Sequence, residues 1–295
     1  MTPKSSSNNN NKPNGEITDH VAVVTGSSSG IGFEIALTLA RNGFQTYATM
    51  RNLAKSENIK SIASKENLPI HIEQLDVIDN NSVTNAIQAI VSKADRIDVL
   101  VNNAGYALAG AFEDLAIEEI KAQYETNFFG LIRTTQAVLP IMRKQKSGTI
   151  VNISSGAGRF GYPTGSAYVS TKFAVEGLSE SMAYELEPLG IKVILVEPGV
   201  IKTNIANGMV IAKKSQNSNS PYSQIMQKMS TSFEHMLENA SSPDLVAKVV
   251  LQAVTSENPS LRYLAGKDVE MWVEAKRNMS DDEFYKMMKQ SFNFK

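Results

Sequence analysis

The sequence lacks cysteine altogether and contains only three histidines among its 295 residues. Without cysteine there are no disulfide bridges and no thiolate chemistry, which suits a reducing compartment, so we expect a cytoplasmic protein. The histidines His20, His71 and His235 lie far apart and do not show the spacing of metal ligands. No metal site is therefore expected.

Long apolar runs are also missing. No run approaches the roughly 18 residues that a membrane-spanning helix needs, and residues 1–16 form a polar tract without the apolar stretch of a signal peptide. We expect these residues to be a disordered tail, because such a composition cannot bury enough surface to offset its chain entropy. The 29 basic and 30 acidic residues give a net charge of −1, so neither nucleic acid nor an anionic membrane is expected as a partner.

The sequence does contain a regular alternation of short β-branched runs and longer segments with helical spacing. The runs are Val21–Thr25, Phe44–Thr49, Ile70–Leu75, Val99–Asn102, Thr149–Ile153, Lys192–Val196 and Leu261–Ala265. The alternation predicts an α/β fold with a doubly wound parallel sheet of about seven strands and helices on both faces, including a helix of about Pro243–Thr255. No linker divides the array, so residues 17–295 are predicted to form one domain with an irregular excursion at about 203–241.

A glycine-rich turn follows the first predicted strand. The segment Thr25–Gly32 reads T-G-S-S-S-G-I-G and opens a predicted helix. Gly26 allows a tight reversal, Gly30 lets the backbone approach a pyrophosphate, and Gly32 lets the helix pack closely on the strand. Because a helix N-terminus presents free N–H groups and the positive end of its dipole, the turn predicts a dinucleotide site, with a plain strand–helix connection as the alternative.

Tyr168 and Lys172 lie four residues apart in a segment with helical spacing, which places them on one face of a helix. A nearby lysine cation can lower the pKa of a tyrosine hydroxyl from its ordinary value near 10 and make it an acid/base catalyst. Such pairs also arise on solvated helices, but Ser154 and Ser155 end the predicted strand Thr149–Ile153 at the edge where a cofactor is expected. We favour Ser155, because Ser154 points to the opposite face of an extended chain.

Asn127 lies inside a long predicted helix, where asparagine is an unfavourable residue. Its presence therefore has a specific cause. From the residues alone, Asn127 is either a hydrogen-bonded amide of the core or a member of a functional site.

Together these motifs resemble the short-chain dehydrogenase/reductase family in its single-domain type. The resemblance rests on the glycine-rich turn, on Asn102-Asn103-Ala104-Gly105 and on the Tyr168–Lys172 pair, and it covers about residues 20–270. It implies a Rossmann-type fold and an oxidoreductase that moves a hydride between a nicotinamide cofactor and a small-molecule carbonyl or secondary alcohol. It also implies a homodimer or homotetramer that pairs through helices at about 115–145 and 166–189.

By this resemblance the catalytic residues are Asn127, Ser155, Tyr168 and Lys172. Ser155 and Tyr168 would bind the substrate oxygen, Tyr168 would transfer the proton, Lys172 would hold the nicotinamide ribose, and Asn127 would hold a water in a proton relay to Lys172. The implied cofactor-binding residues are Gly26, Ser28, Ser29, Gly30, Ile31, Gly32, Arg51, Asp76, Val77, Asn103, Ala104, Gly105, Tyr168, Lys172, Pro198, Gly199, Ile201 and Thr203.

Two other functions remain open. One is a catalytically idle NADP(H)-binding sensor, and the complete set of four catalytic residues argues against it. The other is an isomerase or dehydratase that uses the same tyrosine and lysine. Relatives of that kind usually carry a longer C-terminal substrate domain, for which this chain has no room.

Arg51 predicts a preference for NADP(H) over NAD(H). It follows the second predicted strand, at the corner that lies beside the adenosine ribose in a doubly wound sheet. No acidic residue occurs between Phe44 and Lys55, so the carboxylate that repels a 2′-phosphate in NAD-selective sites is missing. Arg51 offers instead a cation whose donors match phosphate geometry, and Ser29 offers a hydroxyl.

The excursion carries an apolar stripe. Met226, Met229, Phe233 and Met236 lie at offsets of 0, 3, 7 and 10, on one face of a helix. In the family this segment closes over the substrate, so the stripe predicts an apolar substrate of medium or large size. The alternative is that the stripe packs on the rest of the domain.

Overall fold

A seven-stranded parallel sheet forms the centre of the molecule. The structure is a computed structural model and describes residues 20–203, 209–292 and 294. In chain order the strands are β1 (Val21–Val24), β2 (Gln45–Met50), β3 (Ile70–Gln74), β4 (Val99–Asn102), β5 (Ala107–Ala109), β6 (Gly148–Ile153), β7 (Ile191–Pro198), β8 (Met209–Ile211) and β9 (Arg262–Ala265). The large sheet has the order β3-β2-β1-β4-β6-β7-β9 with all pairs parallel, which confirms the predicted fold class.

Helices cover both faces of this sheet. In the described part of the chain they are α1 (Gly30–Arg41), α2 (Glu57–Glu66), α3 (Asn80–Ala94), α4 (Ile117–Tyr124), α5 (Gly130–Gln145), α6 (Ser166–Leu186), α7 (Ser223–Glu238), α8 (Pro243–Thr255), α9 (Lys267–Asn278) and α10 (Asp281–Ser291). Ala22 and Val24 of β1 join an apolar cluster with α1, α2 and α8, whereas Val21 and Val23 join a second cluster with α3, α5 and α6. Because side chains alternate along a strand, the two clusters lie on opposite faces.

The chain order reverses between β1 and β4. These strands are neighbours in the sheet, although β2 and β3 separate them in sequence. In open α/β sheets a ligand binds in the crevice at such a reversal, beyond the carboxyl ends of the strands. The glycine-rich turn after β1 and the segment 103–105 after β4 both lie at this crevice.

The two ends of the excursion between β7 and β9 lie next to each other. Ile201 forms an isolated parallel bridge with Ser241, and the backbone N of Lys202 donates to the Ser241 carbonyl oxygen at 2.8 Å. Within the excursion, β8 pairs with β5, and the short 3₁₀ turn Lys214–Gln216 precedes α7. Residues 204–208 of the excursion, like the predicted tail 1–16, lie outside the described residues.

A π-helical turn separates α4 from α5. It spans Glu125–Phe129 and contains Asn127, so the long helix predicted from the sequence is interrupted at this residue. Such turns occur frequently at functional sites, since they redirect a side chain and its backbone groups within a helix.

Candidate active site

The glycine-rich turn forms a cradle without side chains at the N-terminus of α1. Gly26 and Gly30 have φ angles of 70° and 62°, a left-handed conformation that favours glycine. A Cβ atom on Gly32 would lie 2.3 Å from Nδ2 of Asn103, and one on Gly26 would lie 2.9 Å from Cα of Ala104. The cradle therefore accepts only glycine, and it fits a dinucleotide phosphate. Of the other turn residues, Ser28 and Ile31 are half-buried and Ser29 is exposed.

Thr25 ties this turn to the segment after β4. Its Oγ1 accepts hydrogen bonds from the backbone N of Asn103 and of Ala104, both at 3.0 Å, and Nδ2 of Asn103 donates to the Thr25 carbonyl oxygen at 2.9 Å. A Cβ atom on Gly105 would lie 3.1 Å from Oδ1 of Asn127, so this segment also contacts the π turn. The structure thus brings two predicted groups of cofactor residues together. The sequence did not predict that Thr25 connects the two segments, because its partners lie more than seventy residues away along the chain.

The corner of the crevice that the sequence predicts to face an adenosine ribose is formed by the segments after β2 and β3. Arg51 is exposed and has no ion pair in the part of the chain that the structure describes, while its carbonyl oxygen accepts a hydrogen bond from Nε2 of Gln74 at 3.2 Å. Ser29 is the N-cap of α1 and makes no side-chain cap hydrogen bond. Asp76 and Val77 follow β3 at the same edge, and Val77 is buried. This arrangement leaves the Arg51 guanidinium available for a phosphate group.

The opposite side of the crevice is formed by the turn Pro198–Thr203. The backbone N of Val200 donates to Oδ2 of Asp268 at 2.7 Å, so α9 anchors this turn. Thr203 lies across the crevice from the glycine-rich turn, because a Cβ atom on Gly30 would lie 3.3 Å from its Cγ2. The anchoring residue Asp268 was not recognised from the sequence, where only the turn itself has a recognisable motif.

The hydroxyl groups of Ser155 and Tyr168 meet at the carboxyl end of β6. They form a hydrogen bond, and Oγ of Ser155 also accepts one from the backbone N of Ala157 at 3.1 Å. Ser155 is the N-cap of the 3₁₀ turn Gly156–Gly158, which orients its side chain. Ser154 is 3% exposed, and its Oγ has no hydrogen-bond partner among the described residues. The geometry therefore selects Ser155 for contact with Tyr168.

Burial dominates the electrostatics of Tyr168. It raises the pKa of the hydroxyl, and the hydrogen bond with Ser155 opposes this rise only in part. The predicted lowering of this pKa by Lys172 is therefore wrong for the protein by itself. A raised pKa keeps the hydroxyl protonated at neutral pH, and a protonated hydroxyl is a proton donor.

Lys172 lies beneath the same tyrosine. Its Nζ donates to the carbonyl oxygen of Ile153 at 2.8 Å and lies 5.6 Å from the centroid of the Tyr168 ring. Burial lowers the pKa of Lys172 to about 8, and the carboxylate of Glu176 partly opposes this shift. The ammonium group is therefore charged below about pH 8, next to the Tyr168 ring.

The side chain of Asn127 is a fully hydrogen-bonded buried amide. Its Oδ1 accepts from the backbone N of Tyr106 at 3.0 Å, and its Nδ2 donates to the Tyr106 carbonyl oxygen at 2.8 Å. A longer contact of 3.4 Å joins Nδ2 to Oγ1 of Thr171 on α6, the helix that carries Tyr168 and Lys172. Asn127 therefore links the segment after β4 to α6, and its role in a proton relay stays a prediction.

Metal binding and membrane insertion find no support in the described structure. Within residues 20–203, 209–292 and 294, no group of three or more histidine, aspartate and glutamate side chains is arranged to hold a metal ion. Nor does this part of the chain contain a helix that is long and apolar enough to cross a membrane.

The fold agrees with the comparisons to known proteins. The family profile of the short chain dehydrogenases matches residues 20–215. The chain belongs to the short-chain dehydrogenase/reductase family and is an oxidoreductase of that family.

Two curated relatives illustrate the relationship. The chain is 40% identical over 255 residues to an uncharacterized oxidoreductase of Bacillus subtilis, YusZ, and the match covers 85% of this chain and 90% of the relative. It is 36% identical over 251 residues to the 3-ketodihydrosphingosine reductase of Bacteroides thetaiotaomicron, with 85% and 89% covered.

Solved structures show the same architecture. A short-chain dehydrogenase from Streptomyces avermitilis superposes with a TM-score of 0.80 at 30% identity, and the match covers 94% of this chain and 98% of that one. The structure of ElxO with bound NADP superposes with a TM-score of 0.71 at 30% identity, with 86% and 99% covered.

Proposed function

We propose that the protein is an NADP(H)-dependent oxidoreductase that interconverts a carbonyl compound and the corresponding secondary alcohol. The observation that carries this proposal is the hydrogen bond between the Ser155 and Tyr168 hydroxyls, with the Lys172 ammonium beneath them, at the crevice that the glycine-rich turn opens. We further propose that the protein acts in the cytoplasm as a homodimer or homotetramer, and that residues 17–295 form a single domain.

The bound cofactor would supply or accept the hydride. The chain's own residues would bind the substrate and transfer the proton. Ser155 and Tyr168 bind the substrate oxygen, and Tyr168 donates its proton to that oxygen in reduction and takes it back in oxidation. The Lys172 ammonium, charged below about pH 8, stabilises the negative charge that remains on the Tyr168 oxygen.

Three segments would hold the cofactor. The turn Gly26–Gly32 and the segment Asn103–Gly105 would bind the pyrophosphate and the adenosine side, and the turn Pro198–Thr203 would lie along the nicotinamide. The exposed guanidinium of Arg51 would bind the 2′-phosphate and thereby favour NADP(H) over NAD(H). The NADP found in the related ElxO structure supports this choice.

The proposed substrate is apolar and of medium or large size. The helix α7 contributes Met229 and Met236 to an apolar cluster that also contains Phe160 and Tyr162, which lie between Ser155 and Tyr168 in sequence. This cluster holds α7 against the segment that follows Ser155, and Met226 and Phe233 of the same helix, which are half-buried and lie outside the cluster, are the side chains proposed to contact the substrate. The relationship to a 3-ketodihydrosphingosine reductase supports a ketone as substrate.

A spectrophotometric assay tests this function. NADPH oxidation is followed at 340 nm with a panel of long-chain ketones, steroid-like ketones, aldehydes and small charged ketones. We expect net loss of NADPH with the apolar carbonyl compounds, and slower loss with NADH at equal low concentration. A sensor or an isomerase of the same fold would bind NADPH without consuming it, so binding without net oxidation across the panel contradicts the proposal.

A further inference from the structure

Beneath the segment that carries Ser155 lies a chain of charged side chains, here called the ionic network, consisting of Arg159, Glu176, Glu197 and Arg262. Nη1 of Arg159 lies 3.1 and 3.3 Å from the two carboxylate oxygens of Glu197, whose side chain is fully buried. Nε of Arg262 lies 3.4 Å from Oε1 of Glu197 and 3.0 Å from Oε2 of Glu176. Two guanidinium groups thus alternate with two buried carboxylates.

The members of the network come from the elements that carry the active site. Arg159 is the C-cap of the 3₁₀ turn Gly156–Gly158, and Ser155 is its N-cap. Glu176 follows the catalytic lysine by one turn of α6, and Glu197 directly precedes the turn Pro198–Thr203. The network therefore joins the serine segment, the catalytic helix and the proposed nicotinamide side.

The 3₁₀ turn rests directly on this network. A Cβ atom on Gly158 would lie 2.8 Å from Cγ of Glu176 and 2.9 Å from Oγ of Ser154. Neither Oγ of Ser154 nor Oε1 of Glu176 has a hydrogen-bond partner within the described structure. The turn is thus held from below by its contact with Glu176 and by the ion pair between Arg159 and Glu197.

Burying these charges is energetically costly. Transfer of a carboxylate into a protein interior is strongly unfavourable, and apolar residues of similar volume are often at least as stabilising. Burial and the neighbouring Glu176 carboxylate raise the pKa of Glu197, while Arg159 and Arg262 oppose this shift. A contribution to the stability of the fold therefore explains the network poorly. A role in holding the Arg159 side chain in one orientation explains it well.

We propose that Glu197 is a positioning residue of the active site, which fixes the 3₁₀ turn through Arg159 and thereby holds the Ser155 hydroxyl against Tyr168. The proposal rests on the proposed function, since Ser155 acts in that reaction. The charged groups that face Glu197 are Arg159 from the turn, Arg262 from β9 and Glu176 from α6. Protonation of Glu197 in acid weakens its ion pair with Arg159 and releases the turn.

The test compares Glu197→Gln with a matched control, Glu180→Gln. Glu180 also binds Arg262, at 2.9 Å, but its side chain is about half exposed, and in the described structure it forms no ion pair with Arg159. We expect kcat of the wild type to fall in acid as Glu197 becomes protonated. Glu197→Gln should lower kcat about tenfold with little change in NADPH affinity, and its kcat should not fall further in acid. Glu180→Gln should keep both kcat and the acid limb.

Two further measurements separate positioning from general destabilisation. If Glu197 acts through Ser155, then Glu197→Gln should have no further effect on the residual turnover of Ser155→Ala, as a double-mutant cycle would show. Crystal structures of the wild type and of Glu197→Gln should show Ser155 displaced from Tyr168 in the variant only. An equal loss in both backgrounds, or an unmoved Ser155, overturns the proposal.

The structural comparison needs no substrate, so its result stands even if the wild type oxidises no NADPH and the proposed function fails. Should Glu197→Gln not fold, Arg159→Gln removes the same ion pair from its more exposed side. It should displace Ser155 and lower kcat in the same way, and an unmoved Ser155 in Arg159→Gln contradicts the proposal equally.

Discussion

At the scale of single residues, the surroundings of Tyr168 favour its protonated form. Burial raises the pKa of its hydroxyl, and the Ser155 hydroxyl is its hydrogen-bond partner. We expect Tyr168→Phe to lower kcat by about a hundredfold or more, because general acid catalysis contributes a factor of that order. NADPH affinity should stay close to that of the wild type, because the aromatic ring and its packing remain.

The measurement combines kcat with a fluorescence titration of NADPH. Tyr184→Phe is a suitable control, because Tyr184 lies on the same helix α6 and is 73% exposed. A Tyr168→Phe variant that keeps a tenth of its activity rules out this residue as the essential acid.

Arg51 is the residue on which the cofactor preference depends. A charge-assisted hydrogen bond contributes roughly 1.5–3 kcal/mol, so loss of the guanidinium should weaken NADPH binding about ten- to a hundredfold. NADH has no 2′-phosphate, and its binding should be nearly unchanged in Arg51→Ala. Dissociation constants for both cofactors check this, with Lys55→Ala as the control for a nearby exposed cation. Equal weakening of both cofactors contradicts the assignment.

At the scale of elements, the four residues of the predicted apolar stripe on α7 have two different environments. Met229 and Met236 pack with Phe284 and other side chains of the C-terminal helices, as the alternative of packing on the domain predicts. Met226 and Phe233 are half-buried and lie outside that cluster. One half of the stripe therefore holds the helix in place, and we expect the other half to contact the substrate.

This division gives a prediction for each half. Phe233→Ala should raise KM for long-chain carbonyl compounds about tenfold while the melting temperature stays unchanged, because it removes contact area from a substrate and not from the core. Met229→Ala should lower the free energy of unfolding by about 2 kcal/mol, because it leaves a cavity between helices. KM values over a series of chain lengths and thermal unfolding check both. A preference of the wild type for small charged ketones contradicts the role of α7.

A comparison of the predicted and observed elements shows which of them the sequence patterns could predict. The seven long strands and α8 lie where the alternation places them, since each has its own apolar pattern. The strands β5 and β8 were missed, because each has three residues and pairs with a segment about a hundred residues away. The π turn around Asn127 was also missed, since a single turn with one extra residue is too short to give a recognisable sequence pattern.

At the scale of the whole molecule, the helices expected to form an oligomer expose large apolar side chains. Phe129, Phe173 and Tyr184 are 45%, 47% and 73% exposed and lie on the segments 115–145 and 166–189. We expect Phe173→Glu to convert a dimer or tetramer into smaller species, because it places a charge in an apolar interface. Light scattering after size-exclusion chromatography measures this, and Tyr285→Glu, on the distant helix α10, is the control. A monomeric wild type contradicts the prediction.

The sequence by itself determined the sheet, the order of its elements, and the residue types of the crevice. These follow from local periodicity, from glycines at a strand–helix junction, and from the helical spacing of Tyr168 and Lys172. Tertiary structure decided the electrostatics and the supports of the site. The direction of the Tyr168 pKa depends on burial, and Thr25, Asp268 and the Glu197–Arg159 ion pair act on segments remote in sequence. Burial and long-range contacts exist only once the chain has folded, so no local pattern encodes them.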